Sequence, residues 1–129
     1  MRKILLSLAC LAFFAACQES IEKRAERDAR QLTEKKCPMP ISSDGNVILE
    51  RAEFDIPTRT WKEELLLNLA EDTELADGEI RELLINELRN SPSYKPYMDN
   101  GFNFHYIYRR MSNPKDTLID MTLTKEDYK

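Results

Sequence analysis

A chain of 129 residues has the length of one domain with one modest core. Its 19 Lys and Arg against 23 Asp and Glu give a net charge of −4 with no basic stripe, which argues against nucleic acid as a partner. One histidine and three cysteines, none at metal-ligand spacing, exclude an ordinary zinc site, and three glycines are too few for a phosphate-cradling loop.

Arg2 and Lys3 form a cationic start, followed at residues 4–16 by an uncharged, mostly apolar run. That run is too short to span a bilayer, which takes about 20 residues. With its small-residue end it reads as an export signal. Phe14-Ala15-Ala16-Cys17 resembles the lipobox of bacterial lipoproteins, with Phe14 standing where Leu is usual. The resemblance implies cleavage before Cys17 and acylation of that cysteine with fatty chains such as palmitate. Such an anchor holds a protein on a membrane without crossing it. Cys10 is the competing cysteine; Ser7-Leu8-Ala9 fits the pattern less well and would leave only residues 4–9 as apolar core. Gln18 follows Cys17 where an Asp often retains lipoproteins at the inner membrane, so the resemblance leans to the outer membrane. The chain thus divides into a signal peptide at 1–16, a charged helix or tether at 17–36 and a small α+β domain at 37–129. From Cys37 onward there are 11 basic and 18 acidic residues, so that domain is distinctly acidic.

With Cys10 lost and Cys17 acylated, Cys37 has no partner within the chain, and no disulfide framework is available. Two readings of Cys37 stand. It is a small apolar residue buried at the entrance of the domain, or a reactive thiol whose pKa Lys35 and Lys36 would lower.

Residues 20–36 are rich in Ala, Arg, Lys, Glu and Gln without Gly or Pro, which predicts a helix. Glu26 and Arg30 have the favourable four-residue spacing with the acid first. Ile21, Ala25, Ala29 and Leu32 make a thin apolar stripe that either docks the helix on a sheet or leaves it a charged spacer. Pro38 and Pro40 make the next stretch extended, and Ser42-Ser43-Asp44-Gly45 has turn chemistry. Residues 46–55 read as a strand with broken alternation: Ile48, Ala52 and Phe54 share a face with Glu50, while Val47 and Leu49 lie on the other. After a break at Pro57, residues 59–69 read as a second strand, with Trp61, Leu65, Leu67 and Leu69 on one face and Glu63 intruding. The short connection predicts a hairpin.

Residues 71–77 are an acidic loop ending in Asp77, a candidate N-cap. A helix over 78–90 follows, with Ile80, Leu83, Leu84, Glu87 and Leu88 inward. Residues 102–109 alternate strictly, Phe102, Phe104, Tyr106 and Tyr108 on one face, and predict a third strand. Asn113-Pro114-Lys115-Asp116 has the chemistry of a type I turn. Residues 117–124 then form a fourth strand with Ile119, Met121 and Leu123 inward. The expected fold is α+β: two hairpins joined into a four-stranded antiparallel sheet, polar on one face and covered on the other by helices. The aromatics at 102–108 are expected beneath Ile80, Leu83, Leu84 and Leu88.

Cys37-Pro38-Met39 after a charged helix, the Thr60-Trp61 strand, Phe104-His105-Tyr106-Ile107-Tyr108 and Ile119-Asp120-Met121-Thr122 resemble a group of small bacterial envelope proteins of unknown function. That resemblance covers most of residues 37–128 and implies no catalytic residues.

His105 is placed outward by the alternation, as a surface bystander. Residues 71–79 superficially match a calcium loop, but with Gly78 in sixth place the ligand positions fall on Leu75 and Leu84. No serine lies in a nucleophile elbow. Tyr94, Tyr97 and Phe102 either form an exposed binding edge or close one end of the core. Arg109, Arg110 and Lys115 make a small basic spot at a hairpin end. The sequence therefore points to a non-catalytic envelope lipoprotein without cofactor or metal, partnered by the membrane and by another envelope protein or peptide. The alternative is a small ligand-binding or enzymatic domain that uses the cavity between helices and sheet, with His105 or an acid as its polar group.

Overall fold

The computed structural model describes residues 19–129; the expected signal segment, Cys10 and Cys17 lie outside the described residues. Helix α1, Ile21–Lys36, starts on the Ser20 side chain, which accepts a hydrogen bond from the Lys23 amide. It carries Glu22 in its first turn and Lys35 and Lys36 in its last, both matched to the helix dipole. Ala25 and Ala29 are fully buried, and the absence of larger side chains there lets α1 lie close against the sheet.

Five strands make one sheet in the order β1-β2-β3-β4-β5. They are β1 (Met39–Pro40), β2 (Val47–Asp55), β3 (Thr60–Leu67), β4 (Asn103–Arg110) and β5 (Asn113–Leu123). The two expected hairpins are present as β2–β3 and β4–β5, both antiparallel. Two features correct the expected sheet. A fifth strand, β1, adds to the outer edge of β2, with Met39 opposite Leu49 and Pro40 opposite Ile48. Two residues flanked by prolines carry no period to read, and an edge is where proline's missing N–H is tolerated. The hairpins are also joined by a parallel pair, β3 beside β4, with Trp61 opposite Phe104 and Leu65 opposite Tyr108. Parallel neighbours need a long crossover, and here helix α2 (Asp77–Arg89), a 3-10 turn (Pro92–Tyr94) and helix α3 (Lys95–Asp99) supply it.

The broken alternation of β2 is a β-bulge. Leu49 faces Leu65 and Arg51 faces Glu64, so Glu50 is an extra residue in the ladder. It returns Leu49, Ala52 and Phe54 to one face. Rows of side chains then cross that inner face: Phe54, Trp61, Phe104 and Leu123 in one, Ala52, Glu63, Tyr106 and Met121 in the next, Leu49, Leu65, Tyr108 and Ile119 in the third.

Other boundaries shift for physical reasons. Ala76, not Asp77, occupies the N-cap of α2, and Asp77 with Glu79 fills its first turn. Leu83 is exposed, whereas Leu84, Ile85 and Leu88 are buried. Three consecutive apolar residues leave the phase of the helix open. The turn into β5 falls at residues 111–112, and Asn113 already pairs with Arg110, so the sequence Asn113-Pro114-Lys115-Asp116 belongs to the strand. Because β5 is the far edge of the sheet, Pro114 interrupts no ladder there. A last helix, α4 (Lys125–Tyr128), is held by a capping box in which Thr124 and Asp127 bond each other's backbone amides.

Tyr97 and Phe102 are buried, so the proline-rich loop closes the core rather than displaying its rings. Tyr97 stacks on Trp61 at 5.3 Å and on Phe102 at 5.7 Å, and its hydroxyl donates to Asp28 of α1 at 2.5 Å. Tyr128 donates to the Phe102 carbonyl at 2.8 Å and tucks α4 against the same cluster. Arg110, expected at a solvated hairpin end, is buried; it pairs with Asp116 at 2.9 Å and donates to the carbonyls of Leu69 and Ala70.

Candidate cleft on the helical face

Glu63 sits in the middle row of the inner face, on a central strand, and only 6 % of its surface is exposed. A carboxylate in such a place must find donors or become neutral. Its Oε1 accepts two hydrogen bonds, from Trp61 Nε1 at 3.1 Å and from the Tyr94 hydroxyl at 2.5 Å. Trp61 is fixed in turn by the stacked Tyr97 and by the edge of Tyr94, 5.5 Å away. Burial pushes the Glu63 carboxyl above the ordinary glutamate range; the two hydrogen bonds oppose that rise and the charge of Glu87 adds to it.

A cleft of about 260 Å³ opens over this residue. Its apolar wall is built by Leu32 near the end of α1, by Met39 and Ile41 around β1, by Leu49 of β2 and by Leu88 of α2. Its polar lining is Glu63, Ser91, Tyr94, Tyr106, Tyr108 and, at the rim, the exposed Glu87. Burial raises the phenol pKa of Tyr94 and Tyr106, with the Glu63 charge next; for Tyr108 burial is followed by Glu87. These phenols are therefore neutral hydroxyls at physiological pH. A larger and more open groove of about 400 Å³ runs beside α1 past Glu26, Arg30, Glu34 and Glu53, whose side chains are exposed. The smaller cleft has the features of a built site: apolar walls and a few buried polar groups that converge.

Cys37 lies half-buried beside the cleft. Burial and the Glu63 charge raise its thiol pKa, so Lys35 and Lys36 do not make it a thiolate. His105 lies on the opposite face of the sheet, where Nε2 meets Asp120 Oδ1 at 2.6 Å. It takes no part in the cleft. On that same outer face Glu64 is 3 % exposed and is covered by Arg51 and by Arg109, whose Nη1 donates at 2.9 Å. Among the described residues, no three His, Cys, Asp or Glu side chains come together as a metal site.

The two acids of the cleft were visible in the sequence as faults in its patterns. Glu63 interrupts the apolar face of β3, and Glu87 interrupts the apolar stripe of α2. An acid within the apolar pattern of each of two elements, one buried and one at the rim, is the signal that marks this cleft.

This arrangement, helices on one face of a mixed five-stranded sheet, is shared with known structures. The solved structures it resembles include a pilotin of the Vibrio vulnificus type II secretion system (EpsS), with a TM-score of 0.64 at 15% identity over 84% of this chain and 91% of that one. The type II secretion pilotin AspS of Vibrio cholerae gives 0.61 at 17% identity, over 82% and 90%. A Pseudomonas aeruginosa protein described as secreted (PA3611) gives 0.66 at 12% identity, over 87% and 100%. At the level of sequence, the family model "Domain of unknown function (DUF8479)" matches residues 20–119, and the chain belongs to that family. A search of curated proteins finds no match.

Proposed function

We propose that this protein is a non-catalytic bacterial envelope lipoprotein whose folded part binds a polypeptide segment of another envelope protein. The observation that carries the reading is the likeness over most of the chain to two proteins named pilotins of type II secretion systems. Two further features support it. The lipobox residues Phe14-Ala15-Ala16-Cys17 stand directly before the folded part. The cleft on the helical face has apolar walls suited to side chains of a bound segment. In this reading Cys17 is the first residue of the mature protein, carries the fatty chains and holds the domain at the outer membrane.

The anchor and the partner are tested separately. Labelling with a radioactive fatty acid is expected to mark the wild-type protein and not Cys17→Ala, which moves from the membrane to the soluble fraction. A soluble, unlabelled wild-type protein would overturn the anchor. Crosslinking in intact cells is expected to trap the protein with a second envelope protein, and the yield is expected to fall when Ile41→Asp, at an exposed position of the cleft wall, puts a charge there. Trapping at the same yield in that variant would place binding elsewhere on the domain.

A further inference from the structure

The cleft carries a charge problem that the fold itself does not resolve. Both hydrogen bonds to Glu63 end on Oε1; among the described residues, none reaches Oε2. Every fully buried side-chain polar atom among the described residues has a partner, so Oε2 keeps a small opening. Glu63 is itself among the residues that line the cleft. Tyr106 and Tyr108 line the same space, their hydroxyls make no hydrogen bond to described residues, and Glu87 adds a second carboxylate at the rim. No lysine or arginine lines the cleft. A nearly buried carboxylate without a counter-charge, facing an apolar cavity, is a site short of one cation.

The geometry also selects among cations. A guanidinium prefers two parallel hydrogen bonds to both oxygens of a carboxylate. Oε1 is already occupied by Trp61 and Tyr94, so one oxygen remains, which suits the single point charge of an ammonium. The approach runs between Leu32, Leu49 and Leu88, which match a four-carbon stem. The volume of about 260 Å³ suits one long side chain rather than a whole cofactor. We infer that this cleft is a receptor for a lysine side chain of the bound polypeptide, its stem along the leucines and its ammonium on Glu63 Oε2, within reach of the Tyr106 and Tyr108 hydroxyls. The inference rests on the proposed polypeptide binding and specifies what the segment presents. The acidic balance of the domain, 18 acids to 11 bases from Cys37 onward, favours such a segment electrostatically.

Trp61 is the one tryptophan of the chain, and its indole N–H rests on the same carboxylate, so its resonance reports on the cleft directly. The test titrates the full-length protein, labelled with ¹⁵N at tryptophan and held in detergent, with N-acetyl-lysine methylamide. N-acetyl-norleucine methylamide, which lacks the ammonium, and N-acetyl-arginine methylamide are the comparisons. The lysine probe is expected to shift the indole resonance saturably and to bind about tenfold more tightly than norleucine, as an added buried ion pair provides. Arginine is expected to fall between them. Glu63→Gln keeps an acceptor for Trp61 and Tyr94 and is expected to reduce the lysine preference to near onefold. Glu87→Gln, at an exposed rim position, is expected to weaken lysine binding by about two- to threefold. Equal binding of norleucine and lysine by the wild type overturns the inference, even where Glu63→Gln fails to fold. An unchanged lysine preference in a folded Glu63→Gln overturns it as well. Crosslinked partner with no lysine selectivity refutes the lysine receptor and leaves the binding role standing. Lysine selectivity without any crosslinked partner refutes that role and the polypeptide as source of the ammonium.

Discussion

At the scale of single residues, two neighbouring glutamates on β3 have opposite electrostatics. Glu64 faces two arginines on the outer side, and the Arg51 hydrogen bond holds its carboxyl below the ordinary 4.5. An acid whose folded pKa is depressed stabilises the fold above its unfolded pKa and loses that contribution as pH falls through the folded one. Glu64→Ala is therefore expected to cost about 1–3 kcal/mol at pH 7, read by urea denaturation, with the difference from wild type shrinking below about pH 4. Glu63 has the reverse sign. Its folded pKa lies above 4.5, so its stability contribution is greatest below that value and declines as pH rises toward the folded pKa. Glu63→Gln preserves the acceptor without the buried charge. It is expected to melt higher than wild type at pH 8 and at the same temperature at pH 4, measured by circular dichroism. A gain in stability joined to a loss of lysine preference is the pattern of a residue kept for binding.

At the scale of elements, the docking of α1 on β2 depends on small residues and one bridging hydroxyl. Thr33 Oγ1 donates to the Ala52 carbonyl at 2.8 Å and accepts from the Ala52 amide at 2.9 Å. Those backbone groups lie just past the bulge, where a helix covers them. Thr33→Val is expected to lower stability by about 1–2 kcal/mol, since it orphans both. Ala29→Leu has no room at the helix–sheet contact and is expected to cost about 1–3 kcal/mol. Equilibrium denaturation measures both. Legibility in the sequence varied at this scale. The strict alternation of Phe102 to Tyr108 revealed β4, because a half-buried strand has a period of two. The bulge at Glu50 was written there too, but as an apparent contradiction between Leu49 and Ala52. The strand β1 was not readable, since pairing of Met39 and Pro40 depends on a neighbour that becomes available only after folding. Neither was the parallel join of β3 to β4, because residue patterns mark strands without giving their directions. In the cleft, Glu63 and Glu87 were legible as faults; their convergence was not, because it depends on that join and on the phase of α2.

At the scale of the whole molecule, the core draws on both ends of the described chain. Ala25 and Ala29 of α1 and Tyr128 of α4 belong to the same buried cluster as the sheet. A chain beginning at residue 37 would expose the inner side of β2 and remove one wall of the cleft. It is expected to lose cooperative thermal unfolding, as followed by circular dichroism. A sharp melt of that truncated chain would assign α1 to the tether alone. Removal of α4 is expected to be milder, because its four residues bury one aromatic ring.

The starting point of α1 sets how far the domain can travel. Ser20 already caps the helix, and Ile21 is its first residue. Three residues lie between Cys17 and Ile21, four steps along the chain, and even fully stretched chain covers about 3.5 Å per step, roughly 14 Å in all. With fatty chains on that cysteine, the domain would ride on a leash shorter than its own diameter, close against the headgroup layer. A client would then be met at the bilayer surface, so its lysine would have to lie within a few residues of where its own chain meets the lipid.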